Sequence, residues 1–175
     1  VLLECDLLDR NSIGIDLSDY AYRICLAKKD RGGLAKEIKY LNNIKLKYTK
    51  KISTVPEFVK EFYHPKTLKE IIELRDLFLK DKKDFLLGCL LGIIHGHRNQ
   101  HLSMRTGYII PYIPKPKPKI VYKNAIEKMK DKVTRMYKDE IKVKSKIKVL
   151  NQNVLEANLK DNSIDTIISS PPYYN

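Results

Sequence analysis

The sequence has no apolar run long enough to span a membrane, only three cysteines, and far fewer acidic than basic side chains. A spanning helix needs about 20 consecutive apolar residues. The longest candidate, 85–94, is shorter and contains Gly88 and Gly92, so it predicts a core helix and no membrane partner. With 175 residues and 43% hydrophobic side chains, the chain can bury one ordinary core.

The cysteine pattern favours a reduced, cytoplasmic setting. Cys5, Cys25 and Cys89 are odd in number and lack the spacing of metal ligands. Three histidines gather between residues 95 and 101, but no cysteine or carboxylate constellation accompanies them. Because protein zinc sites combine several such ligands, we expect no metal site.

The charge balance points to a polyanionic partner. The chain has 34 Lys and Arg against 21 Asp and Glu, a net charge of +13, and a pI near 9.5. A Lys-rich organism whose proteins are all basic would give a similar composition. However, the segment 111–148 holds thirteen basic residues against four acids. This concentration favours a phosphate-contacting surface.

The N-terminal part has the pattern of an α/β protein. Residues 12–17 alternate as a small apolar strand with Asp16 near its carboxyl end, and helical spacing follows over 19–29. Residues 2–8 resemble the last turns of another helix. The start at Val1 does not look natural, so we expect the chain to begin inside an element already under way.

The same pattern returns near the other end. A strand is predicted at 147–150, and a short buried strand at 165–169 is ended by two prolines, which cannot donate to a ladder. We therefore expect two pieces of one α/β sheet, 1–34 and 145–175, separated by a mostly helical insert, 35–144.

The insert is predicted from local signals. Its expected elements are a strand near 44–48, a helix opened by a Thr67–Glu70 capping box and running to about Leu79, an apolar helix reaching Ile94, a proline-rich extended strap at 111–118, and a helix from Asn124 to about Lys142.

Two features carry the chemistry. Ser170, Pro171, Pro172 and Tyr173 would present a hydroxyl, two fixed carbonyls and an aromatic face at a strand end, a set suited to a flat heterocycle with an exocyclic amine. Asp16, an acid at a strand end before a helix, is a standard arrangement for holding a nucleoside ribose. Taken alone, such an acid is commonly only a solvated cap.

These residues resemble the amino-methyltransferases of DNA, whose target-base motif has the form Asp/Asn/Ser-Pro-Pro-Tyr, here 170–173. The lead-in 161–168 is similar to the turn and strand before that motif. Residues 11–18 are similar to the family's ribose-binding strand. Gln152 and Asn153 stand where the family often has Gly-Asp beside the cofactor's adenine, and the family's glycine-rich loop, expected before Val1, is not in this sequence.

The resemblance implies an α/β fold: a partial Rossmann-like methyltransferase sheet interrupted by the helical insert. It implies S-adenosylmethionine as cofactor, with Asp16 and Asn153 as cofactor-binding residues. The Ser170 hydroxyl and the Pro171 carbonyl would each accept a hydrogen bond from the target amine. Tyr173 would stack on a base flipped out of the duplex. Ser at the first motif position favours cytosine N4 over adenine N6.

The resemblance also implies partners. The insert would recognise double-stranded DNA, and a cognate restriction endonuclease would complete a restriction-modification system. Without the glycine-rich loop, the 175-residue piece is expected to be inactive alone. The candidate DNA-contacting residues are basic side chains of the insert: Arg98, Arg105, Lys115, Lys117 and Lys119.

Two alternatives stay open. An RNA amino-methyltransferase, acting for example on guanine in tRNA, has a similar pattern, but usually with Asp or Asn before Pro-Pro-Tyr and with less chain between Asp16 and the motif. A non-catalytic nucleic-acid-binding module fits the charge but leaves 170–173 unexplained.

Overall fold

The fold is mixed α/β, with seven α-helices and a two-stranded parallel sheet among the residues that the computed structural model describes: 1–29, 32–106, 113, 115–116, 118–138 and 143–170. In chain order these elements are α1 (Leu2–Leu7), β1 (Ser12–Asp16), α2 (Asp19–Lys29), α3 (Leu34–Asn43), α4 (Glu57–Lys60), α5 (Pro65–Lys80), α6 (Asp84–Leu91), α7 (Ala125–Met136), β2 (Ile147–Asn151) and a 3-10 turn, Val154–Glu156.

The sheet joins the two ends of the chain. β1 and β2 pair in parallel, with a register that runs from Ser12 opposite Ile147 to Asp16 opposite Asn151. The two strands predicted on either side of the insert are therefore neighbours, and the α/β class is confirmed. Two strands do not define a Rossmann-like sheet, which stays a prediction.

A buried carboxylate on α1 anchors the chain that enters β2. Asp6 Oδ1 accepts the backbone N–H groups of Lys144 at 2.8 Å and Ser145 at 2.5 Å. The pKa of Asp6 is lowered, chiefly because the Ser145 N–H stabilises the charged form. Asn11 Oδ1 accepts the next donor, the N–H of Lys146, at 3.0 Å. These hydrogen bonds fix where β2 begins beside β1.

The main core lies in the insert, where α5, α6 and α7 pack together and α3 packs on α7. Burying each large apolar side chain contributes about 1.5–3 kcal/mol. The largest fully buried apolar side chains of this core are Leu41, Leu74, Phe78, Leu86, Leu90, Ile93, Leu102, Met129 and Val133.

The sheet and its neighbouring helices contact this core through α2, which packs on α6. The contact is close because Gly88 has no side chain: a Cβ there would lie 2.2 Å from the Ala27 Cβ. Ala27 is itself buried. The sheet is thereby attached to the helical insert through the α2–α6 contact.

Both long helices of the insert begin with a side-chain cap, but one cap differs from the prediction. For α7, Asn124 Oδ1 accepts the N–H of Glu127 at 3.1 Å, as expected. For α5, His64 Nδ1 accepts the N–H of Lys66 at 3.2 Å, and Pro65 is the first helical residue. The Thr67–Glu70 capping box is therefore wrong, since both side chains instead bond to residues at the start of α7.

Several predicted elements of the insert differ from the structure. α3 was not predicted, although Ile38 and Leu41 stand at helical spacing and pack on the core. The strand expected at 44–48 is absent, since that segment has no ladder partner among the described residues. α6 ends at Leu91, with Gly92 as its C-cap.

The strand predicted at 165–169 is also wrong. No strand forms there, and Ile167 and Ile168 are 84% and 69% exposed. A strand needs a partner for its backbone N–H and C=O groups, and the described residues supply none at this place. An apolar run alone does not make a strand.

Within the described ranges, no helix has both the length and the apolar character needed to cross a membrane.

Candidate nucleoside site at the carboxyl edge of the sheet

The carboxyl ends of the two parallel strands meet at one edge of the sheet. Asp16, the last residue of β1, lies opposite Asn151, the last residue of β2. In α/β proteins this edge is where ligands bind, because helix N-termini and loop side chains converge there. The structure thus places one predicted cofactor-binding residue at a chemically suitable edge.

Asp16 is exposed, and only one of its two carboxylate oxygens accepts a hydrogen bond from a described residue. Its Oδ1 accepts the N–H of Ser18 at 2.8 Å, and Ser18 Oγ accepts the N–H of Ala21 at 3.3 Å. These bonds turn the chain from β1 into α2. Among the described residues, the other carboxylate oxygen of Asp16 has no hydrogen-bond partner, so it can accept a ligand hydroxyl.

Asn151 holds the end of β1 in place and was missed by the sequence reasoning. Its Nδ2 donates to the carbonyl oxygens of Asp16 at 3.0 Å and Leu17 at 3.1 Å. The available signal was a polar side chain that ends an apolar strand. Its role depends on the register of two distant strands, which the sequence does not state.

Asn153 is engaged in local structure. Its Oδ1 accepts the N–H of Leu155 at 3.1 Å and caps the 3-10 turn. The side-chain oxygen is therefore already used, which leaves the amide Nδ2 as the group that could meet a ligand. The groups at this edge that could hold S-adenosylmethionine are the exposed carboxylate of Asp16, suited to ribose hydroxyls, and the amide Nδ2 of Asn153.

Of the four predicted target-base residues, the structure describes only Ser170. Ser170 is exposed and forms no hydrogen bond with any other described residue. Pro171, Pro172 and Tyr173 lie outside the described residues. The socket expected for an amino-bearing base therefore stays a prediction.

The predicted DNA-contacting residues are exposed where the structure describes them. Arg105 is partly used, since its Nε donates to the carbonyl oxygen of His97 at 3.3 Å. Arg98, Lys115 and Lys119 form no ion pair with a described carboxylate. Lys117 lies outside the described residues. Free exposed cations are consistent with phosphate contact and also with a solvated surface.

Two cavities lie away from these residues. The larger, about 450 Å³, is lined by the end of α3, the segment 44–50 and the second half of α5. The smaller, about 270 Å³, lies between α1, α2 and Ile147. Neither is lined by a residue predicted to bind cofactor or base. No set of three His, Cys, Asp or Glu in the described part of the chain could hold a metal ion.

Comparisons of the chain with protein-family models, curated proteins and solved structures found no match.

Proposed function

We propose that the chain is part of an S-adenosylmethionine-dependent DNA methyltransferase that modifies an exocyclic amine, with cytosine N4 as the acceptor. The observation that carries the proposal is the parallel pairing of β1 and β2, which puts Asp16 next to Asn151 at the carboxyl edge of the sheet. The pairing joins the strand 12–16, which resembles the family's ribose-binding strand, to the strand 147–151, which directly precedes Gln152 and Asn153.

Each residue would have a defined role. The free carboxylate oxygen of Asp16 would accept a ribose hydroxyl, and the Asn151 amide would keep the end of β1 in position. S-adenosylmethionine would supply an electrophilic methyl group. Ser170 and the Pro171 carbonyl would accept the two amine hydrogens, which localises the nitrogen lone pair. Tyr173 would stack on the flipped base and hold it in line.

The insert would supply the residues that contact the DNA phosphates. The net charge of +13 is concentrated near the strap and α7, and Arg98, Lys115 and Lys119 are exposed. These charges support the proposed double-stranded DNA partner through phosphate contacts. A cognate restriction endonuclease is the expected companion of such an enzyme.

The test is a methyl-transfer assay with the complete reading frame from which this chain comes. Tritiated S-adenosylmethionine is supplied with duplex DNA or with tRNA, and the labelled base is identified by chromatography. We expect label in DNA as N4-methylcytosine. Label in tRNA would favour the RNA enzyme, and label in neither would leave a nucleic-acid-binding module.

Matched variants make the assay specific. Because charged hydrogen bonds contribute about 1.5–3 kcal/mol, Asp16→Ala should raise the KM for S-adenosylmethionine by about tenfold or more. Asp131→Ala, which removes an exposed acid from α7, should leave KM unchanged.

A further inference from the structure

Two half-exposed tyrosines on the insert are held by one buried carboxylate. Glu70, on α5, is fully buried. Its Oε1 accepts the hydroxyls of Tyr48 at 3.0 Å and Tyr122 at 2.8 Å, and its Oε2 accepts the N–H of Ala125 at 2.8 Å. Both tyrosines therefore have their phenol oxygens fixed to the same anchor.

Tyr48 is held in a costly backbone conformation. Its φ is +57°, in the left-handed region that a bulky side chain rarely adopts and that costs on the order of 1 kcal/mol or more. Glu73 stabilises this turn by accepting the N–H of Lys47 at 2.6 Å and of Tyr48 at 2.9 Å. Two carboxylates of α5 thus fix the position of one surface tyrosine.

A lysine ammonium lies against both rings. Lys66 Nζ is 4.6 Å from the ring centroid of Tyr122 and 5.1 Å from that of Tyr48. Lys66 is exposed and forms no ion pair with a described carboxylate. Cation–π contacts place the ammonium but leave its charge available to an anion.

The tyrosine rings remain open to solvent. Tyr48 is 38% and Tyr122 is 39% exposed, although their hydroxyls are bound to Glu70. The ring of Tyr122 is further fixed by His64, whose ring lies 5.7 Å away in a T-shaped contact. Rigid, part-exposed aromatic faces beside a free cation are the combination with which proteins bind single-stranded nucleic acid.

The chain just before Tyr122 is also exposed and basic. Lys119 is exposed and precedes Tyr122 by three residues, and Val121 between them is also exposed. A polyanion bound at Tyr122 would therefore have a further exposed cation three residues away along the chain. Two carboxylates of α5 beside the cluster already have hydrogen-bond partners: Glu70 accepts from the tyrosines, and Glu73 accepts from the backbone at 47–48.

We propose that Lys66, Tyr48 and Tyr122 form a contact for single-stranded nucleic acid, in which the ammonium takes one phosphate and a tyrosine face takes one unpaired base. Duplex bases are stacked on each other and cannot reach such a ring, so the contact selects unpaired strands. Methyl transfer is not required for it. The chemistry is shared by DNA and RNA, since both supply a phosphate and a flat base.

The experiment measures binding of the 175-residue chain to fluorescent oligonucleotides of about 15 nucleotides by anisotropy, without S-adenosylmethionine. The probes are oligo-dT, oligo-U and a duplex of the same length. The site variants are Tyr122→Leu and Lys66→Gln. The matched controls are Tyr20→Leu, an exposed tyrosine on α2, and Lys39→Gln, an exposed lysine on α3.

We expect Tyr122→Leu to weaken single-strand binding by about tenfold, as for loss of one stacked base, with less than about a twofold change on the duplex. Lys66→Gln should lower the salt dependence of single-strand binding by about 0.7 in log–log slope, the share of one phosphate. Tyr20→Leu and Lys39→Gln should change neither quantity.

Several results would overturn the contact. Equal losses for the site variants and their controls would do so, as would equal losses on duplex and single strand. If thermal melting shows that Tyr122→Leu is unfolded, Lys66→Gln decides alone, because it keeps the three donors of Glu70. A preference for oligo-dT or oligo-U supports the contact and identifies the natural source. Because no cofactor is present, failure here is separable from failure of methyl transfer.

Discussion

The helical insert and the two-stranded sheet differ sharply in how they bury apolar surface. In the insert, α5, α6 and α7 enclose side chains such as Leu74 and Leu90, which are fully buried. Around the sheet, Leu17, Leu155 and Ile167 are 72%, 89% and 84% exposed. Both regions are rich in apolar residues, yet only one of them forms a closed core.

The difference follows from the backbone. A helix satisfies its own N–H and C=O groups and needs neighbours only for its apolar face, whereas a strand needs neighbours for its hydrogen bonds as well. A two-stranded sheet is marginally stable unless other elements support it. Here α2 supplies that support by packing on α6. The packing of the insert therefore stabilises the sheet.

The largest expected effect contrasts core and periphery. Leu74→Ala removes a fully buried side chain from the insert and should lower the free energy of unfolding by about 3 kcal/mol through lost burial and cavity formation. Leu155→Ala makes the same chemical change at an exposed site and should cost less than about 0.5 kcal/mol. Urea denaturation measures both, and equal losses would contradict the contrast.

A smaller loss of stability is expected at the α2–α6 contact, which connects the two regions. In Gly88→Ala the new methyl would lie 2.2 Å from the Ala27 Cβ, so α2 must move away from α6. Overpacking of this kind costs about 1–3 kcal/mol. The control is Gly92→Ala, where the nearest atoms lie 3.4 Å from the added Cβ and φ is −74°. Thermal melting should show destabilisation for Gly88→Ala alone, and matching melts would refute the tight contact.

The smallest effect concerns acid and the anchoring of β2. The pKa of Asp6 is lowered in the folded chain, chiefly by the Ser145 N–H. Its contribution to stability is thus present above its ordinary pKa of 3.8 and is lost as pH falls through the folded value. Below pH 4, amide exchange in β2 should accelerate more than exchange in α5. In Asp6→Asn this extra acid sensitivity should vanish, and its persistence would implicate another group.

Local signals predicted the elements that depend on few neighbours. α2 has the predicted bounds, β1 and β2 lie where alternation placed them, and Asn124 caps α7 as expected. Several of the failures depend on distant partners. Thr67 and Glu70 match a capping box, but Thr67 donates to the carbonyl oxygen of Lys123 and Glu70 accepts the N–H of Ala125, at the start of α7.

The candidate site shows the same division. The position of Asp16 at a strand end follows from sequence, because alternation locates the strand. The contact of Asn151 with Asp16 does not follow, because it needs the parallel register. The anchoring of Tyr48 by Glu70 and Glu73 was equally hidden, since helix and tyrosine are far apart in the chain.

The most direct test asks whether the carboxyl edge of the sheet binds a nucleoside. The ¹⁵N-labelled chain would be titrated with S-adenosylhomocysteine and followed by amide NMR. We expect shifts at residues 15–18 and 151–153 in the native chain and none in Asp16→Asn. Shifts confined to another surface, or unchanged shifts in Asp16→Asn, would contradict the assignment of Asp16 as a ribose ligand.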